Sequence, residues 1–267
     1  VGIGTYQVFH ETYHKPTYND VHPSGLKANY RWRLYALHRA MDAGVDDVAI
    51  GALFGLYDWK FEVMGLMYHA ASLENTYGIG PHTISFPRLK VASNSELSQK
   101  SKYAVSDAEF KKLVAILRLS VPYTGLIITA REDEQIRNDV LQVGCTQLDA
   151  STKIGIGAYS EKKEEQELDK EQFIIGDTRS LDEVVKHLAA TGKITSFCTA
   201  GYRCGRTGDS IMCLLNNGTE GKFCKLNAVL TFREYLDDYA SPETKNIGEE
   251  LIKKELDAIS QMDYYKE

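Results

Sequence analysis

At 267 residues, 43% hydrophobic and 25% charged, the chain has the make-up of a folded globular protein: one large domain, or one domain with an appendage. A net charge of −6 with no basic stripe argues against a nucleic-acid surface, which needs clustered Lys and Arg. There is no apolar run of about 18 residues and no charged-then-apolar leader, so neither a membrane span nor a secretory signal is read, and the cytoplasm is the default compartment. The chain opens on the strand pattern Val1-Gly-Ile-Gly-Thr-Tyr-Gln-Val-Phe with no initiator Met, which predicts a fragment of a longer polypeptide.

Up to about residue 158, short apolar runs alternate with amphipathic stretches. Strands are predicted at Ile3 to Phe9, Asp47 to Leu56, Thr83 to Phe86, Thr124 to Thr129 and Gln142 to Asp149. Helices are predicted between them at Tyr30 to Ala43, Lys60 to Thr76, Ser106 to Leu119 and Arg131 to Val140, where apolar residues recur every three or four positions. Ser106 with Glu109 forms a capping-box pattern, and Gly44 sits just past a helix end. Strand-helix alternation implies parallel strands joined by right-handed crossovers.

In such sheets the chemistry gathers at the carboxyl ends of the strands. There the sequence carries His10-Glu11-Thr12-Tyr13-His14 after the first strand, Pro87-Arg88 after the third and Ala130-Arg131-Glu132 after the fourth. A structural loop more often uses Gly, Asn, Asp and Ser. Glu and Arg accumulating here suggest a pocket for a zwitterionic ligand.

Residues 160 to 171 form an acidic, Lys-mixed run without apolar periodicity, read as a solvated loop. Organisation is therefore predicted as 1–158, a loop at 159–176, and a mainly helical part at 177–267. The last opens with a second capping box, Ser180 to Glu183, on a helix closing near Gly192. Further helices are predicted around Asp209 to Asn216, after Asn227, and after Ser241-Pro242, where Ser at the N-cap and Pro at the first helical position are favoured.

Four of the five cysteines, Cys198, Cys204, Cys213 and Cys224, lie in one segment of a chain with no secretory signal. That distribution points away from a disulfide framework and leaves metal or cluster ligation, redox work or plain burial open. Thiolates suit iron, but five residues between Cys198 and Cys204 is a loose spacing for a cluster loop.

Longer strings carry a resemblance. Gln7-Val-Phe-His-Glu11-Thr-Tyr-His14, Trp32-Arg33-Leu-Tyr-Ala-Leu-His38, Ile50-Gly-Ala-Leu-Phe-Gly-Leu-Tyr-Asp58, Pro81-His82-Thr-Ile-Ser85-Phe-Pro-Arg88, Gly205-Arg-Thr-Gly208 and Asn227-Ala-Val-Leu-Thr-Phe-Arg-Glu-Tyr-Leu-Asp-Asp-Tyr239 resemble the tyrosine lyases that mature [FeFe]-hydrogenase. These are radical S-adenosylmethionine enzymes related to 2-iminoacetate synthase of thiamine biosynthesis. The resemblance implies an α/β fold, the C-terminal part of a (β/α) barrel, followed by a helical cluster-binding domain of the biotin and thiamin synthesis associated kind. It implies cleavage of tyrosine to p-cresol and dehydroglycine, with conversion of the latter to carbon monoxide and cyanide for hydrogenase assembly alongside other maturation proteins. The alternatives are 2-iminoacetate synthase activity, or an inactive remnant.

By the same resemblance, Glu11, Thr12 and Arg33 contact S-adenosylmethionine, and Ser85, Arg88 and Arg131 line the substrate pocket. Cys198, Cys204 and Cys224 hold a second 4Fe-4S cluster, and His82 holds a labile iron beside it, with His69 as competitor. The family places second-cluster cysteines where this chain has residues 198, 201 and 224, yet position 201 is glycine. The family's first-cluster motif, three cysteines with gaps of three and two residues, occurs nowhere in this sequence. That cluster is assigned to a part of the enzyme preceding residue 1.

Overall fold

The computed structural model describes residues 3–92, 95–155, 173–197, 208–217 and 220–262. They form two compact units, divided between Thr178 and Arg179.

The first unit holds five parallel strands in chain order, β1 (Tyr6–Gln7), β2 (Val48–Gly51), β3 (Thr83–Ser85), β4 (Gly125–Ile128) and β5 (Gln147–Leu148). Connecting them are α1 (Lys15–Val21), α2 (Tyr30–Leu34), α3 (Ala36–Asp42), α4 (Trp59–Tyr77), α5 (Glu96–Lys100), α6 (Asp107–Ser120) and α7 (Glu134–Gln142). Each predicted strand is found, but shorter, because only the residues that complete the parallel ladder count. The run from Gln142 to Asp149 yields a strand only at its end, since α7 takes Gln142 and Gly144 turns the chain at φ 126.

One face of the sheet is apolar for a simple reason. Val48, Ile50, Ile84, Leu126 and Ile128 alternate onto it and pack against Leu66, Leu73, Phe110, Leu113, Val114 and Val140 of the helices, all buried. The other face therefore receives Ala49, Gly51, Thr83, Ser85, Gly125, Ile127 and Thr129, which apart from Ile127 are small or polar. It is crowded nonetheless, for a Cβ added at Gly51 would lie 2.6 Å from the Phe9 ring and 2.7 Å from Ser85 O.

The second unit is helical: α8 (Leu181–Ala190), α9 (Gly208–Asn216), α10 (Glu220–Asp238) and α11 (Pro242–Ser260). Val185, Ala189, Val229, Phe232, Leu236, Leu251, Ile252 and Ile259 make its core. Both predicted capping boxes form, at Ser106/Glu109 and Ser180/Glu183, and Ser241 caps α11 with Pro242 at its start. Helix α10 begins well before Asn227, the residue the sequence suggested as its start.

Candidate functional site

The parallel ladder continues past the named strands as isolated bridges, Glu11 with Ala52 and Phe54 with Arg88. These bridges carry the segments after β1, β2 and β3 to one edge of the sheet, where most predicted site residues stand. Leu53 N donates to Glu11 O at 2.8 Å and Phe54 N to Pro87 O at 2.8 Å.

Glu11 adopts φ 77, a left-handed backbone that a non-glycine residue holds only when its surroundings over-determine it. Its carboxylate pairs with Lys27 at 2.8 Å. The Thr12 hydroxyl is fully buried and donates to Glu62 on α4, whose other oxygen accepts Tyr13 N at 2.8 Å. Burial raises the Glu62 carboxyl above its usual range, although these hydrogen bonds oppose the shift. Arg33, on α2, donates Nε to Phe9 O at 2.9 Å. Glu11 and Arg33 thus share the end of β1 with side-chain donors or acceptors to spare, whereas Thr12 spends its hydroxyl inside the protein.

The two arginines of the predicted substrate pocket differ sharply. Arg88 is 7% exposed and is committed all round. It donates twice to the buried Glu132, once at 3.0 Å from Nε, and its Nη1 donates to Asp107 at 2.8 Å and Val105 O at 2.9 Å. Lys90 adds a contact of 2.9 Å to Glu132. Burial would lower the Arg88 pKa, but Glu132 and Asp107 outweigh it and raise it.

Arg131, by contrast, makes no side-chain hydrogen bond or ion pair among the described residues. Its guanidinium lies 3.5 Å from the centroid of the Phe173 ring. Burial lowers its pKa, and the carboxylates of Glu11 and Glu132 pull the other way. The stack occupies the flat face of the guanidinium and leaves the N–H fork unspent.

Two hydroxyls on the same sheet face are also unspent. Ser85 Oγ, in a residue 1% exposed, and Thr129 Oγ1 are buried without a hydrogen-bond partner among the described residues. Ser85 pairs with Ile127, so Thr129 follows two residues on along the neighbouring strand and shares its face. A buried hydroxyl with no partner costs about 1–3 kcal/mol, which a polar ligand would recover. Thr129 escaped the sequence reading, though the alternation that selects Ser85 selects it too.

His82 precedes β3 and Asp47 precedes β2, so both lie at the opposite edge of the sheet. His82 Nδ1 meets the buried Asp47 carboxylate at 3.0 and 3.2 Å. A carboxylate on one ring nitrogen orients the other outward, an arrangement common to metal-ligating histidines. His69 is buried on α4 with Nδ1 at 2.9 Å from Tyr13 Oη. Of the cysteines expected as cluster ligands, Cys198 and Cys204 lie outside the described residues, as does Gly201, and Cys224 is exposed on α10. Among the described residues no three His, Cys, Asp or Glu converge to hold a metal ion, and no helix is long and apolar enough to cross a membrane.

Comparison with known proteins now bears on this arrangement. A family model, the Biotin and Thiamin Synthesis associated domain, matches residues 85–194. The sequence reading put a domain of that kind at 177–267, which this match overlaps only from 177 to 194. A 2-iminoacetate synthase from Salmonella typhimurium is 28% identical over 193 residues, covering 72% of this chain and 49% of the relative. A crystal structure of HydG, a maturase of the [FeFe]-hydrogenase, superposes with TM-score 0.90 at 47% identity, over 97% of this chain and 55% of that one. HydG from Carboxydothermus hydrogenoformans gives 0.80 at 39% identity, over 98% and 55%.

These likenesses support a radical S-adenosylmethionine family member. Within that class its relatives are the HydG maturases and 2-iminoacetate synthase, as the sequence strings suggested. The chain spans about half the length of the relatives it matches.

Proposed function

We propose that this chain is the substrate-binding half of a radical S-adenosylmethionine tyrosine lyase of the HydG type. The observation that carries this is Arg131: a half-buried guanidinium with an open N–H fork, in the turn after β4 and two residues beyond Thr129, whose hydroxyl is unspent like that of Ser85 on the same sheet face. A planar fork fits the carboxylate of an amino acid bidentately, and the hydroxyls suit its ammonium and carboxylate. Arg88 serves the same pocket from behind, fixing Glu132 and the loop after β4.

Glu11 and Arg33 are the residues that would hold S-adenosylmethionine, the carboxylate accepting from its hydroxyl or amine groups and the guanidinium facing its carboxylate, while Thr12 fixes the turn between them. Held there, that cofactor would supply the radical chemistry for cleavage of the tyrosine Cα–Cβ bond to p-cresol and dehydroglycine. The chain's own residues orient the amino acid and keep water off its carboxylate. His82, oriented by Asp47, is the residue we assign to a labile iron. Cys198, Cys204 and Cys224 are assigned to the second cluster, and no step is derived through it.

Likeness to HydG over nearly the whole chain favours the maturase outcome, in which dehydroglycine goes on to carbon monoxide and cyanide. The second reading, release of dehydroglycine as in thiamine biosynthesis, draws support from the 193 residues aligned with 2-iminoacetate synthase. The full-length protein, reconstituted anaerobically and given L-tyrosine, tests both. It is expected to yield p-cresol and carbon monoxide; p-cresol alone supports the second reading, and neither product overturns both.

A further inference from the structure

Phe173 was not among the residues that composition, motif or resemblance singled out, yet it is the residue lying against Arg131. Its position is fixed by the segment that carries it. Gly176 N and Asp177 N both donate to Ala130 O, at 2.8 and 3.0 Å, directly before Arg131. Gly176 passes so close that a Cβ there would stand 2.7 Å from Arg131 O and 2.7 Å from Asp133 N, both backbone atoms with no freedom to yield. Asp177, 5% exposed, receives the buried guanidinium of Arg137, which also donates to Asp149 O at the end of β5. Residues 173–177 are thus bonded to the loop after β4 and to the strand beyond it.

We infer that Phe173 is a positioning residue that holds the Arg131 guanidinium with its N–H edge toward the amino-acid carboxylate. This rests on the reading of Arg131 given above. An arginine has several rotatable bonds and loses affinity whenever its fork wanders. A ring stacked at 3.5 Å restricts the guanidinium plane, shields one face from water, and leaves every in-plane donor available. A lysine ammonium could also sit over the ring, but it has neither plane nor fork for the ring to orient. The device therefore selects a planar two-oxygen anion, the carboxylate of a free α-amino acid, over a ligand that offers only an amine.

The test uses the full-length protein and equilibrium binding of L-tyrosine and of tyramine, which lacks the carboxylate. Phe173→Leu is expected to weaken tyrosine binding by about five- to ten-fold, the size of a partly desolvated cation–π contact, and to leave tyramine binding unchanged. Phe173→Trp restores tyrosine binding, since it keeps the ring. Gly176→Ala touches neither partner's side chain but pushes the segment off the loop, and should reproduce Phe173→Leu. Thermal melting checks that each variant is folded. Equal losses for both ligands, or no loss for either, overturn the inference. Arg131→Gln separates the two readings: if it leaves tyrosine binding intact, the carboxylate role of Arg131 fails and this inference with it. If it weakens tyrosine binding while Phe173→Leu does not, the role of Phe173 alone fails.

Discussion

Arg88 and Arg131 are the same side chain following adjacent strands, and their neighbours give them different work. Arg88 neutralises Glu132, which is fully buried, so Arg88→Met leaves that carboxylate, among the described residues, with Lys90 at 2.9 Å as its ion-pair partner and the more distant charge of Arg131. Breaking a buried pair in this way costs about 3–5 kcal/mol, and denaturant unfolding should show it. Arg131→Gln should hardly change stability while weakening tyrosine binding roughly ten- to hundred-fold, the worth of about 1.5–3 kcal/mol in charged hydrogen bonds.

A pH dependence belongs at this scale too. His10 packs among the rings of Tyr13, Tyr18 and Tyr30, and burial, reinforced by nearby His69, Arg33 and His22, pushes its pKa down from 6.5 to about 3. Burial likewise pushes His69 down to about 4, helped by His38. Both are neutral in the fold and protonate more readily when it opens, so their stabilising effect is complete above about pH 6.5 and is lost as pH falls toward 4 and 3. Urea midpoints measured from pH 7 to 4 should drop, and less steeply in His10→Phe; a parallel drop would contradict the assignment.

The positions after each strand were legible because parallel sheets put their chemistry there, and so Glu11, Arg88 and Arg131 could be named, whereas Ser85, inside β3, was named by the resemblance alone. What was not legible was commitment. Nothing in the text Pro87-Arg88 says that its donors are already taken, because Glu132 reaches it across 44 positions of chain. Phe173 was hidden for the same reason, following an acidic run, read from composition as a loop, that lies outside the described residues.

Among the elements, helices whose caps are spelled out locally were read most faithfully. Ser106, Ser180 and Ser241 each accept from the backbone N–H three residues on. Ser180→Ala should cost about 1 kcal/mol, read as a lower unfolding midpoint, since it removes the hydroxyl that accepts from Glu183 N while the backbone N–H of residue 180 keeps its bond to the Glu183 carboxylate. Helices α1 and α5 were missed; they are of 7 and 5 residues, too short to display an apolar period. The predicted helix from Tyr30 to Ala43 is two, parted at Tyr35, whose φ −91 and ψ 17 lie in the bridge region. Asn227 suggested a start for α10 but lies inside it, where its carbonyl accepts the Thr231 hydroxyl at 2.9 Å. In the second unit, Gly248 lets α11 approach α10, since a Cβ there would meet Leu236 at 2.6 Å. Gly248→Leu should destabilise by about 1–3 kcal/mol through overpacking, which thermal unfolding would register.

At the scale of the molecule, the parallel direction of all five strands follows from strand-helix alternation, whereas their order β1-β2-β3-β4-β5 is the one that the resemblance to a (β/α) barrel implied. The loop that decides the second cluster did not become clearer, because Cys198, Gly201 and Cys204 lie outside the described residues. The structure instead moves the weight of the functional reading from the cysteines to the carboxyl edge of the sheet, where Arg131, Ser85 and Thr129 hold unspent polar groups. The most direct test is p-cresol release from L-tyrosine by the reconstituted full-length protein, compared with its Arg131→Gln variant. The account predicts tyrosine-dependent p-cresol from the native protein and a loss in the variant of roughly ten-fold or more at sub-saturating tyrosine. Consumption of S-adenosylmethionine without p-cresol, or equal p-cresol from both proteins, would contradict it.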